Sequence, residues 1–128
     1  MAPTACAYNN LVANGNLADP TGVNTVAGAG AGVRIPDISP NRRVAYPEYT
    51  LLRVANASGG SGTCTVKAGA YPPAVAAGQG DLTVTVANSA TQWIGPFESG
   101  RFLQADGSML VETSVVMTVT AFRTPATQ

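Results

Sequence analysis

The chain contains no histidine, and with it goes the commonest general base, proton shuttle and metal ligand. Charge is scarce as well. Charged residues make up 11% of the 128 residues, seven basic against seven acidic, where soluble domains average about 25%. A nucleic-acid binder neutralises phosphates with clustered Lys and Arg. Here Arg42-Arg43 is the one adjacent basic pair, so no nucleic acid is expected as a partner. Apolar residues reach 45%, yet many are Ala and Val, and no run approaches the ~20 residues that span a bilayer. No membrane partner is expected. The first ten residues, Met-Ala-Pro-Thr-Ala-Cys-Ala-Tyr-Asn-Asn, show neither a basic stretch nor a continuous apolar one, so no secretory signal is evident and synthesis in a cytoplasm is expected.

The same scarcity removes most chemistry. The seven acids (Asp19, Asp37, Glu48, Asp81, Glu98, Asp106, Glu112) are scattered, and several sit at turns, so no carboxylate pair for glycoside cleavage stands out. No Asp-x-Asp cluster offers calcium its several oxygen ligands. Ser and Thr abound, but Lys67 is the one lysine, and without histidine none has an obvious activator. The chain is expected not to be an enzyme, with no catalytic residue, cofactor or metal. Two cysteines, Cys6 and Cys64, are too few for a zinc site or a disulfide framework. The simpler reading makes Cys64 a small core residue and leaves Cys6 in a mobile arm.

What is present divides the chain. Residues 1–48 are dominated by Ala, Gly, Asn and Pro, and are expected to form an extended arm with few positions able to anchor a core. Leu11, Val12, Val23, Val26, Val33 and Ile35 are its apolar points, the candidates for contact with a partner. Gly28, Gly30 and Gly32 have the wrong spacing for a dinucleotide fingerprint, lack a preceding strand, and are followed by Pro36 and Pro40; a flexible linker is expected.

Residues 49–123 alternate short Val-, Thr- and aromatic-rich segments with turn clusters. Strands are expected at 51–56, with Leu52 and Val54 inward, and at 63–68, with Cys64 and Val66 inward, the two joined as a hairpin across the Ser58–Gly62 turn. Leu82, Val84 and Val86 alternate with Thr83 and Thr85, the clearest strand. Trp93, in a short strand at 92–94, is expected in the core, and Phe97 is expected to turn inward after Gly95-Pro96. Asp106-Gly107 suits a two-residue hairpin between 101–105 and 108–112. The last strand, 115–122, carries Met117, Val119 and Ala121 on one face and Phe122 on the other, as in a strand covered on both sides. Asn56-Ala57-Ser58 matches a glycosylation acceptor but reads more simply as a turn after a strand. The expected fold is all-β, a small antiparallel β-sandwich or jelly-roll-like barrel of about seven strands, with residues 124–128 as a tail.

The run Leu51-Leu52-Arg53-Val54-Ala55-Asn56-Ala57-Ser58, then Cys64-Thr65-Val66, Asp81-Leu82-Thr83-Val84-Thr85-Val86, Trp93-Ile94-Gly95-Pro96-Phe97, Gln104-Ala105-Asp106-Gly107-Ser108 and finally 115–123 resembles the capsid decoration (head auxiliary) proteins of tailed bacteriophages. The resemblance implies a structural virion protein on the capsid exterior, made in the host bacterial cytoplasm. It would bind the major capsid protein, stabilise contacts between capsid subunits and self-associate, with a trimer favoured. The arm would then bind the partner, and deleting residues 1–32 would leave the β fold intact. Two alternatives remain open: a carbohydrate-binding or host-attachment module of a virion, pointed to by Trp93, Tyr71 and Tyr49 as sugar-stacking rings, and a head-neck or tail assembly protein.

Overall fold

The computed structural model describes residues 4–12, 14–28, 31–35, 45, 47–69, 80–104 and 107–124. Among these described residues ten strands form two five-stranded sheets packed as a sandwich, which bears out the all-β expectation. The strands are β1 (Thr4–Ala5), β2 (Tyr8–Asn10), β3 (Val23–Asn24), β4 (Val33–Ile35), β5 (Thr50–Ala55), β6 (Gly62–Val66), β7 (Leu82–Val86), β8 (Thr91–Ile94), β9 (Met109–Thr113) and β10 (Thr118–Arg123). Sheet A runs β1-β4-β9-β6-β7. Sheet B runs β2-β10-β5-β8, with β3 also on β10. A single helical turn, Ser99–Phe102, precedes β9.

The expected alternation holds where strands are long enough to show it. Leu52 and Val54 of β5, Cys64 and Val66 of β6, and Met117, Val119 and Ala121 around β10 all point into the core. Phe97 joins them, meeting Phe102 edge-on at 5.4 Å. Truncating the fully buried Leu52 or Met117 to alanine would cost roughly 2–5 kcal/mol.

The arm departs from expectation. Residues 4–35 contribute four strands. β2 pairs with β10 in parallel, Tyr8 opposite Ala121; β3 pairs antiparallel with the start of β10; β4 pairs antiparallel with β9, Val33 opposite Val111. The sheets are therefore mixed rather than purely antiparallel, since β1 and β4 are also parallel. Cys6, Val33 and Ile35 lie at 1%, 0% and 0% exposure. Cys6 belongs to the core, not to a mobile segment. The physical reason is that two or three residues suffice for a strand when a long neighbour supplies the ladder, and the apolar points of the segment fall where the sandwich needs filling.

Thr25 fixes the segment further along. Its side chain is 3% exposed. Its hydroxyl shares a hydrogen bond with Thr113 Oγ1 at 2.6 Å and accepts from Met117 N–H at 2.9 Å, while its own N–H donates to Met117 C=O at 2.8 Å. One threonine thus ties the end of β9 in sheet A to the approach to β10 in sheet B.

The glycine run is not a linker at Gly32. This residue has φ of 92°, and a Cβ there would lie 2.0 Å from the Val111 carbonyl oxygen. Only glycine combines that backbone conformation with so close an approach to β9.

Two expected hairpins are absent. β5 pairs with β10 and β8 in sheet B, whereas β6 pairs with β7 and β9 in sheet A, so the Ser58–Gly62 turn crosses between sheets. Asn56 holds that crossing. Its buried amide donates to Gly60 C=O at 2.8 Å and Val86 C=O at 2.9 Å, and its Oδ1 accepts from Ser58 N–H at 3.0 Å. The acceptor-like triplet is accordingly a structural turn. Near Gly107 a tight turn does form, with Gly107 N–H to Gln104 C=O at 2.9 Å and Gln104 N–H to Ser108 C=O at 2.7 Å. Residues 105–106 lie outside the described residues. The chain before the turn leads back to the helical turn, and β9 pairs instead with β4 and β6.

Two outcomes follow. Gly32→Ala should destabilise by about 3 kcal/mol or more through strain and overpacking, while Gly60→Ala, which meets open space, should stay near wild type. Comparable urea midpoints for the two variants would contradict this. Deleting residues 1–32 should abolish cooperative unfolding, because β10 loses β2 and β3 along one margin and the buried Cys6 and Thr25 go with them; a truncated chain that melts like the full one would show the segment to be dispensable.

Candidate functional site

The outer face of sheet B carries the most distinctive surface. Because β8 sends Ile94 into the core, the preceding Trp93 must face outward. It does, at 59% exposure, which corrects the expectation of a core tryptophan. Two strands away Phe122 also faces outward, yet it is 6% exposed. Trp93 stacks on it with ring centroids 5.5 Å apart and 28° between planes. β10 is thus covered on both faces, as its sequence pattern implied.

The rest of the cover is the connection between β2 and β3. Arg53, on β5 directly opposite Trp93 and Thr120, holds it in place. Its guanidinium pairs with the Asp19 carboxylate, donates to Pro20 C=O at 3.0 Å and to Thr120 Oγ1 at 3.3 Å, and lies 5.8 Å from the Phe122 ring. Leu11 N–H donates to Arg123 C=O at 2.8 Å, fixing the start of the connection against β10. The result is a groove of about 300 Å³ walled by Leu11, Val12, Asn16, Asp19 and Pro20 on one side and by Trp93 on the other, with Arg53 and Phe122 on its floor. Val12 and Leu17, at 67% and 40% exposure, stand at its margin.

Of the six apolar points expected to meet a partner, Leu11 and Val12 line this groove. Val26 is exposed. Val23, in β3, packs against the core, and Val33 and Ile35 are enclosed within it, so none of these last three is left for a partner. Arg53 is the site residue that sequence reasoning missed, and Trp93, named there only as a ring for the carbohydrate-binding alternative, was expected in the core. The parity of β8 was the available signal for Trp93, and the outward slot between Leu52 and Val54 the signal for Arg53. Tyr71 lies outside the described residues. Tyr49 sits in the 3-10 turn Pro47–Tyr49, half-buried, and is not among the residues lining the groove.

A second depression of about 380 Å³ lies over sheet A between Thr63, Thr65, Glu112 and Ser114. Beside it Lys67 bonds Asp81 at 2.8 Å and approaches Glu112 at 3.9 Å. The hydrogen bond from Lys67, reinforced by the Ala68 N–H, holds the Asp81 carboxyl below its ordinary range, and the same bond raises the Lys67 ammonium. This pairing clamps the end of β6 to the start of β7. No group of three or more Cys, Asp or Glu side chains among the described residues is placed to hold a metal. No helix of the described residues is long and apolar enough to cross a membrane. No family model, curated protein or solved structure matches the chain.

Both thiols are unbonded to each other and buried. Burial pushes Cys6 up to about 11, offset in part by the Ala121 N–H, and Cys64 up to about 12. In the folded chain they stay protonated while an unfolded thiol, with its ordinary value of 9.0, ionises. Their contribution is therefore complete below the unfolded value and is lost as pH rises from there toward the folded ones. Near pH 10 each should cost about 1.4 kcal/mol. Melting curves across this range should fall more steeply for the wild type than for a Cys6→Ala, Cys64→Ala double variant; parallel slopes would contradict the assignment.

Proposed function

We propose that the chain is a structural virion protein that binds the outer surface of a phage capsid and stabilises contacts between major capsid subunits, acting by binding and not by catalysis. The observation that supports it most is the free margin of sheet A. Among the described residues no strand lies beyond β7, whose sequence Leu-Thr-Val-Thr-Val carries neither charge nor proline. Soluble sandwiches normally guard such a margin with lysine, proline or a bulge, because unpaired backbone donors and acceptors recruit other strands. A five-residue edge that is unguarded among the described residues suits strand addition, in which backbone hydrogen bonds give affinity and alternate side chains give register. The resemblance of the segments at 51–58, 81–86 and 93–97 to decoration proteins points the same way. Modest contacts of this kind gain through the many equivalent positions of a capsid.

In this reading the partner meets the body at β7, since Val23, Val33 and Ile35 of residues 4–35 are taken up by the chain's own core. Wild-type protein mixed with undecorated heads should co-sediment with them and raise their resistance to heat. Thr83→Lys with Thr85→Lys, both on exposed positions, should keep the wild-type melting curve and bind heads at least about tenfold more weakly. Absence of wild-type co-sedimentation would overturn capsid binding, and undiminished binding of the double variant would overturn the edge as its contact.

A further inference from the structure

We infer that the groove between Trp93 and the wall of Leu11, Asn16, Asp19 and Pro20 is a binding site for a neutral saccharide. The inference is independent of capsid binding, because the groove lies on the outer face of sheet B and β7 belongs to sheet A.

The first argument is the state of the indole. Trp93 is the single tryptophan of the chain, and burying an aromatic ring is among the largest apolar gains open to so small a fold. It stays mostly exposed, yet it is not loose. Phe122 backs the ring at 5.5 Å and near-parallel, and Phe122 is in turn held beneath Arg53. This produces a fixed aromatic platform. The negative face of such a ring attracts the weakly positive C–H edge of a partner. The apolar C–H face of a pyranose offers that edge, and its hydroxyls project sideways from the same ring.

The second argument is charge. The groove contains one guanidinium and one carboxylate, Arg53 and Asp19, and they are paired with each other. No net charge remains to draw a phosphate, a sulfate or an ammonium group. Hydrogen-bonding capacity does remain. The Asp19 side chain is 77% exposed and a carboxylate accepts several bonds, so its unoccupied lone pairs can accept from hydroxyls. The Asn16 amide on the same wall both donates and accepts. A hydroxylated, uncharged ligand satisfies both conditions, whereas an apolar peptide would leave the Asp19 carboxylate facing a surface that cannot pair with it.

The third argument is pre-organisation. Arg53 reaches the connection at Asp19 and Pro20 and the strand at Thr120, so the wall and the platform are tied to one side chain and less ordering is left to occur on binding. The volume, about 300 Å³, falls at the lower end of small-ligand sites. One or two sugar units are the size of ligand to expect.

Because the chain has one tryptophan, its fluorescence reports on this site alone. Full-length protein should be titrated with neutral gluco-, galacto- and manno-oligosaccharides and with N-acetylglucosamine oligomers. The expected result is a saturable change in Trp93 emission with at least one of them, unchanged between low and high salt, since a neutral ligand is not screened. By calorimetry, Trp93→Ala should weaken that binding about tenfold or more, Asn16→Ala by a smaller factor, and Trp93→Tyr should keep most of it. Since Trp93 and Asn16 are exposed, these variants should fold, and their melting curves check that they do. No response to any neutral sugar overturns the inference. So does tighter, salt-dependent binding of a sulfated oligosaccharide or inorganic phosphate, or equal affinity in the wild type and Trp93→Ala.

Discussion

The structure depends on β10 being paired along both of its margins by segments far from it in sequence. On one side β5 covers its full length, Thr118 opposite Ala55 through Arg123 opposite Thr50. On the other side two fragments share the work, β3 at its start and β2 at its end. Neither fragment could persist alone, since two or three residues fix several dihedrals for very few hydrogen bonds. They hold because β10 presents a continuous ladder and because Cys6, Thr25 and Val23 anchor their flanks in or against the core. The same logic repeats in sheet A, where the three residues of β4 lean on β9. Closing the fold therefore brings the first residues against the last, and contacts of such sequence separation make for slow, highly cooperative folding.

This dependence explains what could be read in the sequence and what could not. The inward sets Leu52/Val54, Cys64/Val66 and Met117/Val119/Ala121 were legible, because strict alternation identifies a buried face wherever a strand exceeds about four residues. The two-sided cover of β10 was legible for the same reason. Strand partners were not. Of all the paired strands, only β6 and β7 are neighbours in both sequence and sheet; the other short connections mostly carry the chain from one sheet to the other. A Gly/Ser-rich turn between two alternating segments reads identically whether it folds a hairpin or crosses a sandwich, and Asn56, which decides the matter here, looks like any turn residue. The strands of residues 4–35 fall below the length at which periodicity exists. Gly32 reads as linker because composition records the lack of a side chain and not the carbonyl of Val111 pressed against it.

The site was legible only in fragments. Trp93 drew notice as the single tryptophan, but size alone favoured the core, and the parity of β8 settles the question the other way. Ile94 and Trp93 are adjacent on a strand, so one faces in and the other out, and the sandwich interior takes the aliphatic residue because Leu52 lies opposite it. For Arg53 the sequence signals an outward position and nothing of its partners. It occupies an outward slot between two core residues, where a charged side chain is the usual occupant, and its partners Asp19 and Pro20 come from a segment expected to lie elsewhere.

The reassignment of residues 4–35 also changes which parts of the molecule are free to act. A tethered arm would have carried binding by ordering on a partner, with the entropy loss taken at that moment. Instead that ordering is completed within the fold, and one product of it is a wall beside Trp93 that no arm would have made. The surfaces proposed for partners are parts of the folded sheets: an uncharged sheet edge at β7 and an aromatic groove on the opposite sheet. Surfaces already folded bind with less ordering left to occur, so each contact can be small and still count. Because edge and groove sit on different sheets, occupancy of one leaves the other open, and a body held to a large assembly by its edge would still present its groove to a second ligand.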